Sequence, residues 1–502
     1  MKDRKIAFAA LILIFSIVTG DIVSTMIGIG GGGSLAITPQ ASTFTITSND
    51  NGVSYNGYLS GSTTIPLFTE TSFQTLMQTD ILGSSACVLG CSISMLSGSF
   101  NQSDTINVTR PGITIIGTPA SIIYPSNVAF HSSFRSVFNI LPSATNFVAQ
   151  GFKVDDYKRA NQTGVAGDVF THNGAGCLLN QLTIWNASST AISAQGSNCI
   201  ISFNTLLATV LICHNPQTRS CNGNFGVVIG TTANGIRIDF NTISGFNFTD
   251  SSAIQMAGAS SSASVNIEVG SNEIFGNSFG ITSTWGKTLN IHDNKIHDNY
   301  AAGIVLTTQA IGTASAGPIT ITGNVITNNA KEPGTDPVCN NFHCSGIVLR
   351  GSKSGWDGIT IVGNTIKDTQ TIPTQLYDID LLSVQYSNLT IVGNTLGRSS
   401  GNLGVHLNVN PLSSWIIAEN PGFNPQAVRG PLTAGATPFT YTNNDGYKEQ
   451  IELITIGDMT AFTCRGIANI IQVDAISPIL NTLDTCVFTY VAVAPTYDVL
   501  PT

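Results

Sequence analysis

The chain has 502 residues, of which only 10% are charged and 42% are hydrophobic, with a formal net charge of −9. So much apolar content excludes a disordered chain, and the acidic balance, with no basic stripe, excludes a general nucleic-acid binder. The 50 glycines and 10 cysteines agree with an exported protein.

Residues 1–20 place Lys2, Arg4 and Lys5 before the apolar run Ile6–Val18, with Val18-Thr19-Gly20 as a cleavage site. That is the layout of a secretory signal peptide. An uncleaved anchor is the alternative, although the run is shorter than the ~20 residues that span a bilayer. This segment would be the only membrane tether. Residues 21–40 contain IGIGGGGS, a flexible linker by composition. Residues 41–90 are expected to form an N-terminal cap, with a helix over Phe68–Asp80 capped by Thr69 or Thr71. Such a cap would cover the open end of a stack of strands.

From residue 91 to about 425 the chain repeats itself. In Leu289–Leu306, LNIHDNKIHDNYAAGIVL, apolar residues alternate through a first strand. Asn294 then marks a bend, Ile296 a second strand, and Gly303-Ile304-Val305-Leu306 a third. The phrase returns as ITITGNVI from Ile319, ITIVGNTI from Ile359 and LTIVGNTL from Leu389, and more weakly as IRIDFNTI from Ile236 and NIEVGSNEI from Asn266. Its asparagines (Asn204, Asn241, Asn272, Asn294, Asn324, Asn364 and Asn394) recur 22 to 40 residues apart. A fixed minimum with variable excess predicts coils of constant size carrying insertions of different length. One such coil cannot bury its apolar face alone, so the copies must stack into a continuous core. Asn suits a tight bend through its tolerance of left-handed backbone, and stacked amides can bond along the axis. A β-sandwich of short strands is the competing fold.

These repeats, with PGITIIGTPASIIYP (Pro111–Pro125), resemble the right-handed parallel β-helix proteins of the pectin-lyase-like superfamily, including its carbohydrate-binding and sugar-hydrolase repeat group. The likeness covers roughly residues 90–425. It implies an all-β solenoid and says little about activity, because enzymes, adhesins and viral tail proteins share the fold.

The cysteines fall into close pairs: Cys87/Cys91, Cys177/Cys199, Cys213/Cys221, Cys339/Cys344 and Cys464/Cys486. An even count in an exported chain predicts disulfides. Cys177 and Cys199, 22 residues apart, fit adjacent coils. Zinc at Cys339, His343 and Cys344 is the weaker alternative, since no fourth ligand is evident. No metal or cofactor is otherwise implied.

Residues 426–438 look like a linker. Residues 439–502 carry strand-like runs around Cys464 and Cys486 and are expected to form a small β module for attachment or oligomerisation. It weakly resembles the modules that come after β-helices in some surface and viral proteins.

Chemistry is expected on the outward residues of the third strand. In successive coils these are Gln255; Thr282 and Thr284; Val305 and Thr307; Val348 and Arg350; Asp378 and Asp380; His406 and Asn408. Adjacent coils lie ~4.8 Å apart, which would bring Arg350, Asp378, Asp380 and His406 together for acid–base work or for neutralising a uronate. A plain polar exterior is the simpler account. The paired-Asp set of polygalacturonases and the calcium cluster of pectate lyases are both missing. Trp285, Trp356 and Trp415 are candidates for sugar stacking or for packing of loops. His292-Asp293 and His297-Asp298 are weighed as a metal or catalytic cluster against ordinary polar bends, and the run from Asp155 to Arg159 as a solvated loop. Three functions fit these residues: a secreted or cell-surface protein that binds extracellular glycan without cleaving it, a polysaccharide lyase or glycoside hydrolase, or a structural spacer.

Overall fold

The computed structural model describes residues 42–49, 52–60, 62, 64–125, 136–157, 167–208, 225–247, 251–257, 264–284, 286–308, 317–331, 344–351, 356–382, 386–397, 404–407, 416–420, 429–443, 448–469, 471–473, 479–481 and 483–501. The expected signal peptide and glycine-rich linker lie outside this set. Among the described residues, no helix is long and apolar enough to cross a membrane.

Each coil contributes one strand to each of three long sheets, of 15, 11 and 11 strands among the described residues. In the coil that begins at Lys287 these strands are Lys287–His292, Lys295–His297 and Ile304–Thr308. Every strand pairs in parallel with its equivalent one coil away, as in Leu289↔Ile319, Ile296↔Ile326 and Ile304↔Ile347. The period-two pattern therefore puts Leu289, Ile291, Ile296, Ile304 and Leu306 inside, each no more than 2% exposed. Burial of such a side chain contributes ~1.5–3 kcal/mol, and every coil repeats the gain.

The repeat asparagines form the ladder expected of them. Asn204 Nδ2 donates to Asn241 Oδ1, and the same bond continues through Asn272, Asn294, Asn324, Asn364, Asn394 and Asn420 at 2.9–3.0 Å. Each acceptor oxygen also takes the backbone N–H of the preceding rung's asparagine. One expectation is corrected. The left-handed residue is the one before each asparagine: Gly323, Gly363 and Gly393 at φ of 65–67°, with Phe203, Phe240, Ser271, Asp293 and Glu419 at 54–55°. The turn is made there, and this frees the asparagine to aim its amide down the axis.

The N-terminal end is closed differently from the expectation. Thr43–Asn49 joins the first sheet in parallel with Cys91–Met95, and Ser54–Leu59 and then Phe68–Glu70 extend it as antiparallel strands. Phe68–Glu70 is thus an edge strand. The helical turns run over Phe73–Ile81 and Ser85–Cys87, and Ser72 Oγ, rather than Thr69 or Thr71, caps the first by accepting from the Thr75 N–H at 3.1 Å. Tyr55 and Phe73 pack on Phe100 at 6.1 and 5.1 Å and plug the core.

At the other end, antiparallel sheets of three and four strands enclose a separate core that includes Ile451, Leu453, Phe462, Phe488 and Val499. Part of the stretch expected to be linker belongs to this module: Arg429–Thr433 is a strand paired with Thr496–Pro501. Cys87–Cys91, Cys177–Cys199 and Cys464–Cys486 are disulfide-bonded, and Cys344 is in a disulfide. Cys213, Cys221 and Cys339 lie outside the described residues.

A ladder amide that takes two bonds and gives several is costly to lose. Asn324→Leu is expected to lower stability by roughly 3 kcal/mol or more, and Asn420→Leu, at the end of the row, by less. Urea midpoints at unchanged m-value measure both; equal or reversed losses would contradict a cooperative ladder.

Candidate functional site

The outward face of the third sheet is where the sequence placed the chemistry, and its register is as expected except that Asp380, and not Asp378, stands opposite Val348. Gln255, Thr282, Val305, Val348, Asp380 and His406 stand in one row across six coils. Thr284, Thr307 and Arg350 form a second row, two residues further along the strands.

Exposure along the rows is uneven. Val305 and Val348 are buried with Phe279, Ala301, Ala302, Ala330 and Cys344 in an apolar cluster separate from the coil interior, with Leu382 against it. The middle of the first row is thus covered. The sequence cannot show this, because a valine on an outward face looks like any tolerated surface residue. Gln255, Thr282, Thr284 and Thr307 are half-buried, and Arg350 is exposed.

The four candidate catalytic residues do not come together as one group. Asp380 and His406 do meet: the Nδ1 of His406 lies 2.7 Å from Asp380 Oδ1, and Asp380 is fully buried. In whichever state the ring is neutral, this contact favours the tautomer with the proton on Nδ1 and the lone pair on Nε2. The His406 ring also stacks on Tyr377, centroids 4.2 Å apart and planes 7° from parallel. Burial, and then the charge of Asp380, push the Tyr377 phenol up, so it stays protonated and able to donate.

Asp378 is a correction. It precedes the strand, and its carboxyl takes a bond from Gln375 Nε2 at 2.8 Å at the bend between the second and third sheets. Burial pushes its pKa up to about 8, and the Asp368 carboxylate adds to the rise while Gln375 and the backbone of Gly397 oppose it. Asp368 is itself held by the backbone N–H groups of Gln370, Thr374 and Gln375. Asp378 is two positions before Asp380, and Arg350 is two positions beyond the partner of Asp380. Four residues of strand, ~13 Å, separate their levels.

Trp285 and Trp415 lie outside the described residues. Trp356 opens a first-sheet strand paired with Tyr386, so its backbone does not sit on the third sheet. His292 and His297 are members of charge rows on the outer bends. His292 meets Glu268 at 3.2 Å and Asp293 at 3.0 Å, His297 meets Asp298 at 2.7 Å, and Lys295 and Lys331 pair with Glu273 and Asp298. These are exterior pairs worth little individually. Asp156 corrects the expectation of a solvated run, being buried and accepting from the Ser188 N–H at 2.9 Å. Tyr377 and Gln375 were not foreseen, since neither belongs to the repeat phrase.

The chain matches the family model for the right handed beta helix region over residues 167–366, and with the stacked sheets this defines the fold as a right-handed parallel β-helix. The pectin-lyase-like resemblance of the repeats holds at that level. No curated protein matches the chain by sequence. Solved structures that it resembles include the A-module of a mannuronan C-5 epimerase from Azotobacter vinelandii, at 14% identity over 68% of this chain and 94% of that one, TM-score 0.40. A tailspike protein of E. coli bacteriophage HK620, solved with a pentasaccharide, is 11% identical over 85% and 88%, TM-score 0.49. A family 28 exopolygalacturonase from Yersinia enterocolitica is 10% identical over 73% and 84%, TM-score 0.46. At these identities the likeness concerns the fold.

The raised pKa of Asp378 has a pH consequence. Between the unfolded carboxyl value near 4 and about 8 the folded state binds the extra proton, so stability falls as pH rises through that window. Asp378→Asn, which mimics the protonated acid, is expected to gain stability relative to the parent between pH 5 and pH 8, read as the difference in Tm at the two pH values. A difference independent of pH would contradict a protonated Asp378.

Proposed function

We propose that the chain is an exported surface or attachment protein whose third-sheet flank binds an extracellular polysaccharide without cleaving it. The observation that carries this reading is the fate of the two candidate carboxylates. Asp378 and Asp380 are both buried, and each is engaged by a neighbour, Gln375 and His406 respectively. Hydrolysis of a glycosidic bond needs two carboxyl groups facing each other across the sugar, and these two do not share a face. What the flank offers a ligand is a row of threonine hydroxyls (Thr284, Thr307), the amide of Gln255, the Arg350 guanidinium and a flat Tyr377–His406 stack. Such groups recognise sugar hydroxyls and an occasional acidic substituent. The disulfides agree with an oxidising, extracellular setting. The C-terminal module, with Val491 and Val493 exposed, is then the part available for attachment or self-association.

The Asp380–His406 pair favours a second reading, a polysaccharide lyase. His406 Nε2 would take the proton next to a uronate carboxylate that Arg350 neutralises. A spacer without ligand is the third.

A glycan array probed with the secreted chain, followed by assays for new reducing ends and unsaturated products, separates the three. Binding without products is expected, weakened roughly 10- to 100-fold by Arg350→Ala, the loss of one charge-assisted contact, and to a lesser degree by His406→Ala. Products that vanish in Asp380→Asn would replace this reading with the lyase. No binding to any glycan would leave the spacer.

A further inference from the structure

Inside the coil, away from the flank, three side chains meet that the proposed function does not use. Cys177 and Cys199 are directly paired on adjacent first-sheet strands, with Cα atoms 4.3 Å apart. His172 approaches from the third sheet, between Ile140 and Ala194 of the neighbouring coils. All three are fully buried. One ring nitrogen and both sulfurs lie within 4.8 Å of one another, and among the described residues no other trio of His, Cys, Asp or Glu is so placed. Neither nitrogen of His172 has a hydrogen-bond partner of good geometry. A buried ring lacking partners is destabilising, whereas an apolar residue of that size would not be, so the imidazole's lone pair calls for an electrophile.

We propose that His172, Cys177 and Cys199 form a site for one thiophilic divalent cation of the zinc class, filled when the Cys177–Cys199 disulfide is open and lost when it closes. Binding to the reduced chain is a proton exchange: the cation enters, two S–H bonds release two protons, and no electron moves. The two thiolates cancel the cation's charge, so no net charge is buried, and the neutral imidazole supplies a third donor. A fourth position is left for water or a backbone oxygen. In the structure the cysteines are in the competing state, disulfide-bonded. Opening that bond takes two electrons and two protons from a dithiol reductant, so the redox poise of the compartment selects between staple and cation. Either state ties together the coils that carry Cys177 and Cys199.

The test uses the full chain, reduced with a phosphine under anaerobic conditions and titrated with Co2+ as an optical probe, beside the oxidised chain. The reduced chain is expected to bind a cobalt ion with thiolate-to-metal absorption that Cys177→Ala with Cys199→Ala removes and that Zn2+ displaces. His172→Ala should weaken the site on the order of 100-fold, at least as much as losing an outer-shell partner. The oxidised chain should lack this ion. The same absorption and stoichiometry in the double-cysteine variant as in the parent would overturn the proposal, whatever signal the other cysteines give. So would unchanged affinity in His172→Ala. Should that variant fail to fold by circular dichroism, the double-cysteine comparison decides alone.

Discussion

The buried asparagine amide is the interaction on which the rest of this molecule depends. A primary amide removed from water has two donors and an acceptor to satisfy, and leaving one unmet costs more than the bond itself gains. Here each ladder amide finds its partners in the asparagine of the next coil and in backbone carbonyls such as those of Ile291 and Thr322. These bonds are met only if successive coils stack in one register. A slip by one residue would take the amide from its partner and turn Ile and Leu outward together. The ladder and the apolar stack therefore specify the same arrangement.

A second, shorter row shows the same principle at the other bend. Asn277 Nδ2 donates to Asn299, and Asn299 donates to Asn329. On the next coil Gln375 and Asp378 fill that corner instead; a side chain added at Gly346 would meet Gln375. The weakened acidity of Asp378 comes from its burial in this structural corner.

Much of this was legible in the sequence because the signal is periodic. The alternation in LNIHDN fixed which side chains face inward, the recurring Asn marked the rungs, and the 22-residue spacing of Cys177 and Cys199 matched one minimal coil. What was not legible depends on distance in space without a period in the chain. The apolar cluster over Val305 and Val348 draws on residues from several coils. Asp378 and Asp380 look equivalent in the string DID, yet one belongs to a bend and the other to a strand. His172 gave no signal at all, because its meeting with the two cysteines is made across the core from a different sheet. The left-handed residue before each Asn is visible as the Gly of the G-N phrase, one position ahead of where the asparagine's own turn tendency points.

The proposed place for a glycan is the outer face of the third sheet. Hydrogen–deuterium exchange of the full chain, with and without a polysaccharide it binds, tests this directly. The account predicts slowed exchange confined to third-sheet segments such as Phe279–Thr284, Ile304–Thr308, Ile347–Gly351 and Val405–Leu407 and the loops beside them. Protection confined to the charge rows around Glu268, His292 and Lys295 on the outer bends of the first and second sheets would contradict it.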